Sequence, residues 1–455
     1  MIIGRTAEIT YLNEIFGSDC GSIVTLYGDN GVGVTSVWRE FVKDKKFVYI
    51  KSPKAGSRQI NFVVSRELSL KGYEFKSDFP SFLEILTATS DKFKLDKYVL
   101  VIDDFENLFK AEEKYIDDVF SFIRLNRSDN RFLCLLVTHD VRYIENLFVT
   151  QIGRNALAID KILKIHPVTF LDLVMFYNTK STAECMDYFA LLGGYIGFYK
   201  YFDTSLTLKE NIVNCFLKHD SVFRNAGNDL ILTHLREVNV YGTILYCMAS
   251  GRNKLNDIYS HTEFSRAKIS VYLKNLMSLD MVEKVSSFDT PGNENTLKGV
   301  YRISNPILLF WYRFIYPYES FLTLMPAEKY YDTFISHAIK DFLKEAIPTI
   351  CREYLNIMNR KHGLPIKVSK YGEWVGKAGT IHYIGRDNDR NVLTAYVALN
   401  DEPLDSEEFE WFKYSLKEAK IKPDYIFLFS ASGFDEDLND LIDKDCTFMI
   451  DINNL

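Results

Sequence analysis

Two short segments of the sequence contain residues that suit phosphate and metal chemistry. The first, Asp29 to Ser36, is glycine-rich and lies between an apolar run that ends at Gly28 and a helical run, Val37 to Asp44. Strand, glycine-rich turn and helix form a setting in which backbone N–H groups and the helix dipole bind phosphate. The second is Asp103-Asp104, which follows the apolar run Tyr98 to Ile102. Paired carboxylates in this position can bind magnesium and polarise an attacking water.

The glycine-rich turn departs from the usual phosphate-loop (P-loop) motif at one position. It matches G-x-x-x-x-G-K-[ST] at Gly28, Gly33 and Thr35, but Val34 occupies the place of the lysine. That lysine supplies the cation on the β- and γ-phosphates, whereas valine offers neither charge nor donor. The backbone can still bind phosphate and the Thr35 hydroxyl can still reach magnesium. We therefore predict ATP or ADP binding with Mg²⁺, and weak or absent hydrolysis.

A third apolar run, Arg131 to Thr138, ends at Thr138-His139, where a polar side chain can sense the terminal phosphate. Helical segments at Phe62 to Leu70, Phe79 to Phe93 and Lys114 to Arg124 lie between the three runs. Strands that alternate with helices predict a doubly wound parallel sheet, with its site at the carboxyl ends of the strands.

Composition limits the class of protein. The chain has 455 residues, enough for two to four domains, with 47% hydrophobic and 25% charged residues. Its net charge is −7, which argues against a bulk polyanion binder but leaves room for a local basic patch. The 7 cysteines form no C-x-x-C pair, so neither a disulfide framework nor a zinc site is expected. Because no secretory signal and no membrane-length apolar run is present, we expect a cytoplasmic protein without a membrane partner.

The middle of the chain predicts helices and then a hairpin. Apolar residues recur at helical spacing after Pro167, which suits either a helical lid or a helical linker. Three helices follow, at Tyr241 to Ala249, Leu255 to Tyr259 and Ser265 to Leu279. Two strands, Met281 to Val285 and Val300 to Ile303, are joined by the polar turn Ser287 to Lys298. Helices and hairpin in this order predict a winged helix-turn-helix. The candidate DNA contacts on its third helix are Arg266, Lys268 and Lys274.

The order of these parts resembles a prokaryotic, largely archaeal, ATPase family of the AAA/STAND type. That family opens with a G-R-x-x-E-[IL] box, matched here by Gly4 to Ile9. Gly153-Arg154, followed by Ile165 to Phe170, is similar to its segment after the third strand. Leu192 to Ile196 looks like its G-G-[IV]-P motif, with Gly197 in place of proline, and Tyr301 to Phe314 resembles its most strongly patterned junction.

The resemblance implies four domains and completes the predicted site. They are a P-loop core at 1–165, a helical lid at 166–232, a winged helix at 233–305 and a nuclease-like α/β domain at 306–455. The predicted nucleotide contacts are Arg5, Gly28, Asn30, Gly31, Gly33, Val34, Thr35, Ser36, Thr138 and Arg154. The predicted magnesium ligands are Thr35 and Asp103, and the predicted catalytic residue is Asp104.

The C-terminal part resembles PD-(D/E)xK nucleases but departs from their active members. Such nucleases hold a metal with acids on a helix and two strands, and a lysine orients the water. Here the three acid positions fall on Pro348, His382 and Tyr396, and Ala398 replaces the lysine. We therefore expect a nuclease-like fold without nuclease activity. A shift in register would bring other acids into play, namely Glu345, Glu353, Asp387 and Asp389.

Two functions of different classes follow. In the first, the chain is a nucleotide-binding regulator that responds to ATP or ADP. In the second, it is a nucleotide-independent scaffold that binds a protein partner or a second copy of itself. Association with double-stranded DNA through the winged helix is compatible with either.

Overall fold

The computed structural model describes residues 3–18, 20–93, 96–127, 132–286, 288, 299–376 and 378–455. The chain divides into two compact units. The first consists of Met1–Val168 and Tyr195–Phe198, and the second of Thr169–Gly194 and Tyr199–Leu455. Within the described ranges, no helix combines the length and apolarity that a bilayer crossing requires.

The first unit is built on a five-stranded sheet in the order β2-β3-β4-β1-β5. Its strands are β1 Ser22–Tyr27, β2 Lys46–Lys51, β3 Tyr98–Asp103, β4 Phe132–Thr138 and β5 Lys161–Lys164. Every neighbouring pair is parallel. All residues of β1, β3 and β4 are buried, which explains why these strands read as unbroken apolar runs. The predicted α/β fold with a parallel sheet is confirmed.

Helices cover both faces of this sheet. They are α1 Thr6–Gly17, α2 Val34–Phe41, α3 Ser57–Ser69, α4 Phe82–Lys92, α5 Glu106–Ala111, α6 Lys114–Asn126, α7 Val141–Tyr143 and α8 Val149–Ile152. Core residues of α1 and α2 pack with Val101, Leu135 and Val137 on one face. Residues of α3 to α6 pack with Ile102 and Leu136 on the other. The side chains at odd-numbered positions of β3 and β4 therefore lie on the face of the sheet that α2 covers, here called the α2 face.

The second unit begins with helices and a hairpin. The helices are α9 Phe170–Phe176, α10 Thr182–Leu192, α11 Leu208–Ile212, α12 Ala226–His234, α13 Val238–Ala249, α14 Leu255–Thr262 and α15 Arg266–Met277. Antiparallel strands β6 Val282–Ser286 and β7 Gly299–Ile303 follow. Of the predicted turn between these strands, Phe288 is described and the remaining residues lie outside the described part. Helices α16 Pro306–Phe310, α17 Phe321–Leu324, α18 Ala327–Phe334 and α19 Ile339–Lys344 come next.

The C-terminal part of this unit is a mixed five-stranded sheet in the order β12-β11-β10-β9-β8. Its strands are β8 Lys370–Gly376, β9 Gly379–Arg386, β10 Val392–Val397, β11 Tyr425–Ser430 and β12 Thr447–Asp451. β8 to β10 are antiparallel and β10 to β12 are parallel. Apolar residues of α20 (Ile347–Arg360) pack on one face, and those of α21 (Ser406–Glu418) pack on the other. A separate C-terminal α/β domain is thus present.

The β6–β7 hairpin is fixed to this C-terminal sheet. Arg302 of β7 forms an ion pair of 2.7 Å with Glu373 of β8, whose side chain is only 8% exposed. The N–H of Phe288 donates to the Glu373 carbonyl at 2.8 Å, and the Phe288 ring lies in the core beside α21. The hairpin is thus tied to β8 by an ion pair and a backbone hydrogen bond, and to the core beside α21 by a buried ring.

Candidate functional site

The strand order of the first unit brings the predicted segments to one edge. In a parallel sheet all carboxyl ends lie at the same edge, where α/β proteins place their sites. β4 lies between β1 and β3. Three segments are therefore neighbours at this edge: the glycine-rich loop after β1, the Thr138-His139 pair at the end of β4 and the Asp103-Asp104 pair at the end of β3.

The glycine-rich loop has the backbone geometry of an anion site. Gly31 and Gly33 have φ of +87° and +101°, a region that glycine adopts without strain. Gly33 is the N-cap of α2, and in the described structure no side chain caps this helix. The first N–H groups of a helix have no partner within it, and the helix dipole adds partial positive charge there. The loop and α2 therefore present donors to an anion.

Arg5 supports the loop from behind. Its Nη2 donates to the carbonyl of Val32 at 2.6 Å and to that of His166 at 2.5 Å, and its Nη1 pairs with Glu8 at 3.1 Å. The side chain is almost completely buried, with 4% exposed. Arg5 thus fixes the loop backbone, and its guanidinium is committed to protein groups at this position.

The side chains of the loop divide between core and solvent. Val34 is fully buried and packs in the core beneath α2, so it presents no donor to a ligand. Thr35 is half-buried, and its Oγ1 lies 3.5 Å from Nε2 of His139. Asn30 and Ser36 are exposed. Gly28 approaches Ile165 so closely that an added Cβ would lie 2.5 Å from its carbonyl oxygen.

Asp103 is a buried carboxylate on the α2 face. The Tyr49 hydroxyl donates to its Oδ2 at 2.8 Å, and the N–H of Asp104 donates to its Oδ1 at 3.2 Å. Burial raises the pKa of Asp103, while the Tyr49 hydrogen bond opposes that rise. Tyr49 also stacks on Trp38 of α2, with ring centroids 5.2 Å apart. Tyr49, which the sequence did not indicate as a site residue, thus links Asp103, the predicted metal ligand, to α2.

Asp104 has a strained backbone and a cationic neighbour. Its φ is +52°, in the left-handed region that few non-glycine residues adopt. Its Oδ2 lies 3.5 Å from Nζ of Lys51, at the end of β2. The predicted catalytic carboxylate therefore lies at the carboxyl edge of the sheet, where it pairs with an exposed lysine.

Thr138 and His139 face opposite sides of the sheet. Leu136 packs on the α3–α6 face and Val137 on the α2 face, so alternation along β4 directs Thr138 away from α2 and His139 toward it. The Thr138 hydroxyl hydrogen-bonds the buried carboxyl of Glu106. His139 instead lies between Thr35 and the Gly28 carbonyl, which is 3.3 Å from its Nδ1. The polar residue beside the phosphate loop is thus His139, and the alternation of β4 was the signal for it.

The structure does not bring Arg154 to this edge. Arg154 is exposed, and the neighbouring Asn155 accepts a hydrogen bond of 2.7 Å from Arg124 at the end of α6. The carbonyl of Ala158 accepts from Arg127, also ahead of β4. Since α6 ends before β4 begins, these residues lie at the amino edge, roughly 20 Å from the phosphate loop across the strand.

The three candidate DNA contacts, Arg266, Lys268 and Lys274, all lie on α15. All three are exposed, as is Val271 between them. The Arg266 guanidinium lies 4.0 Å from the Tyr259 ring centroid, and its Nε donates to Asn256 at 3.1 Å. Lys268 lies 4.7 Å from the Phe264 ring centroid. The inner residues Ile269, Leu273 and Leu276 are buried. The helix therefore has an apolar inner face and a basic outer face.

In the C-terminal domain, the residues at the nuclease-like positions serve other contacts. Burial lowers the pKa of His382 to about 4. The Tyr396 hydroxyl donates to Glu408 at 2.7 Å. Of the acids that a shifted register would use, Glu353 accepts the Phe170 N–H at 2.8 Å and Glu345 pairs with Arg313. Asp387 accepts from Asn391. Over the described residues, no three His, Cys, Asp or Glu side chains are placed to bind a metal together.

Comparison with known proteins gives partial matches. Residues 311–402 match the profile of the DUF234 family, described as archaea bacterial proteins of unknown function. Over 419 residues the chain is 22% identical to an uncharacterized protein of Methanocaldococcus jannaschii, covering 88% of each chain.

Among solved structures, the chain is similar to a Walker-type ATPase of Pyrococcus abyssi. That likeness has a TM-score of 0.49 at 14% identity and covers 69% of this chain and 96% of the other. The chain is also similar to the ORC2 protein of Aeropyrum pernix in ADPNP-ADP complexes. This likeness has a TM-score of 0.42 at 14% identity and covers 76% of this chain and 95% of the other. Likenesses this distant carry no information about activity, so the fold rests on the strand order and loop geometry described above.

Glu106 gives a test of the electrostatics at this edge. Burial raises its pKa to about 7. A carboxyl whose pKa is raised on folding favours the protonated native state, so stability falls as pH rises from about 4.5 to about 7. We expect Glu106→Gln, which keeps an acceptor for Thr138, to remove about 1–3 kcal/mol of that loss. Thermal melting between pH 5 and 8 measures it. Glu112→Gln, at an exposed acid, is the control, and equal pH profiles for Glu106→Gln and wild type would contradict the expectation.

Proposed function

We propose that the first unit binds ATP or ADP and that the chain is a nucleotide-dependent regulator of AAA/STAND type. The observation that carries this proposal is one edge of the parallel sheet. There a loop with two left-handed glycines runs into the uncapped helix α2, beside Thr35 and Asp103. Neither a turn nor an ordinary helix start requires this combination.

The residues present fit a Mg²⁺-nucleotide. Mg²⁺ is usually held by one or two protein oxygens together with phosphates and water, and Thr35 and Asp103 would supply these oxygens. The metal would contribute charge neutralisation on the phosphates. The chain itself contributes the loop N–H groups, the α2 dipole and the imidazole of His139. Tyr49 orients the Asp103 carboxylate, and the proposal accordingly includes His139 and leaves out Arg154.

Hydrolysis is proposed to be weak or absent. Val34 is buried, so no cation reaches the phosphates from this position. Asp104 is the acid that would polarise the attacking water. Its backbone is strained, and Lys51 pairs with its carboxylate. Since the rate of phosphoryl transfer depends on charge placed against the phosphates, both features favour binding over turnover.

Thermal stabilisation by nucleotide tests the proposal. A ligand that binds only the folded state at 100 times its Kd stabilises by about 2.7 kcal/mol, an increase of about 5 °C in Tm. We expect Mg-ATP and Mg-ADP to produce it, and we expect Asp103→Asn, which preserves the acceptor for Tyr49, to lose most of it in the presence of Mg²⁺. Asp78→Asn, at an exposed acid of the same unit, should behave as wild type.

The opposite result has a defined meaning. Nucleotide-free protein that shows no shift at millimolar nucleotide would contradict the regulator. The scaffold would then be the better function, and size-exclusion chromatography of the full chain would have to show a defined oligomer or a stable complex.

A second candidate function is association with double-stranded DNA. We propose that 233–305 is a winged helix, that the helices of 166–232 form a lid and that 306–455 is a nuclease-like scaffold. The observation in favour of DNA is α15, where basic side chains and the small Ala267 and Ser270 form an exposed face. Such a face suits phosphate contacts and entry into the major groove.

Charge removal on α15 tests DNA association. Arg266→Ala with Lys268→Ala should weaken binding about tenfold and reduce the slope of log K against log salt by about 2. Fluorescence anisotropy with duplex DNA at several salt concentrations measures both. The control is Lys417→Ala with Lys422→Ala, two exposed lysines of the C-terminal domain. Equal loss in both double variants would show that binding depends on charge alone and not on α15.

A further inference from the structure

Four residues from later in the chain lie against the phosphate loop. Tyr195–Phe198 belong to the first unit by their contacts, although both flanking stretches belong to the second. The N–H of Gly197 donates to the carbonyl of Gly31 at 2.7 Å. The loop thus receives a backbone hydrogen bond from a segment 166 residues away in sequence.

The approach between the two segments leaves no room for side chains. A Cβ on Gly197 would lie 3.1 Å from the oxygen and 3.2 Å from the Cα of Gly31. A Cβ on Gly31 would lie 2.4 Å from the Phe198 ring, which stacks against Tyr195 with centroids 6.2 Å apart. The Phe198 ring therefore covers the position at which any other residue in place of Gly31 would carry its side chain.

These contacts determine the direction of the loop carbonyls. The Gly31 carbonyl is taken by Gly197 and the Val32 carbonyl by Arg5. The Val32 N–H itself donates to the Asp29 carbonyl at 3.3 Å, so the N–H groups left to meet an anion are those from Gly33 onward, at the start of α2. The hydrogen bond from position 197 needs a backbone N–H, which proline lacks. Glycine at 197 supplies this N–H. The same chain has Val34 in place of the loop lysine.

We propose that Gly197 is a positioning residue that clamps the phosphate loop through Gly31 and keeps it ready for phosphate where the lysine is missing. The role of this clamp in phosphate binding rests on the proposed function. The clamp itself does not, because it concerns the backbone of the ligand-free protein.

The test compares Gly197→Ala with a matched glycine substitution. Gly197→Ala pushes a methyl group into Gly31, whereas Gly56→Ala, at a position of the same unit where a Cβ meets nothing within 4 Å, does not. In ligand-free protein we expect hydrogen exchange at Gly31 to Thr35 to be about 3- to 10-fold faster in Gly197→Ala, the value of one hydrogen bond. Mg-ADP affinity by calorimetry should fall by a similar factor. Gly56→Ala should match wild type in both.

A second variant covers the case in which Gly197→Ala does not fold. Phe198→Ala removes the ring over Gly31 without adding a group, so it should accelerate loop exchange and weaken Mg-ADP binding in the same direction. Loop exchange that is unchanged in both variants would overturn the clamp, even if wild type binds nucleotide. Tighter Mg-ADP binding in either variant would overturn it too, since the segment would then obstruct the loop. Faster exchange in a protein that binds no nucleotide would reject the proposed function and leave the clamp of the loop supported.

Discussion

The first unit depends on how the backbone of one short loop is held. A loop that binds phosphate through N–H groups must turn its carbonyls outward, and carbonyls left without donors at a buried position are costly. Here the guanidinium of Arg5 and the amide of Gly197 satisfy the carbonyls of Val32 and Gly31 from outside. Left-handed glycines make the required turn possible, and α2 begins directly after it.

Much of this unit could be predicted from sequence because of burial. Strands covered on both faces read as apolar runs, so β1, β3 and β4 were predicted within one or two residues, and the loop and the Asp103-Asp104 pair followed from them. The direction of individual side chains was harder to predict. The end of the apolar run indicates the Thr138-His139 pair, and only the strand register separates the two, with Thr138 on the far face and His139 on the α2 face.

The features of this edge that the sequence did not indicate are contacts between residues distant in sequence. The phosphate contact of Arg5 stays a prediction, whereas its contacts with the carbonyls of Val32 and His166 could not be read from the sequence. Tyr49 and Gly197 were not predicted at the site because nothing in their local sequence indicates their partners. In the second unit, the tie between Arg302 and Glu373 is of the same kind. Periodicity predicts elements, whereas such pairings require the folded chain.

The loss of the lysine has a consequence for discrimination between nucleotides. A hydrogen bond from a charged donor contributes about 1.5–3 kcal/mol, and the missing lysine would have made one to the β- and γ-phosphates. Without it, phosphates bound as proposed would meet only the loop amides at the start of α2, which contribute nothing that singles out a terminal phosphate. A preference for ATP over ADP would then have to come from the neighbouring strand ends, where His139 lies beside Thr35 and Asp103 ends β3. A regulator built this way would report the ATP/ADP ratio through β3 and β4 and not through the loop itself.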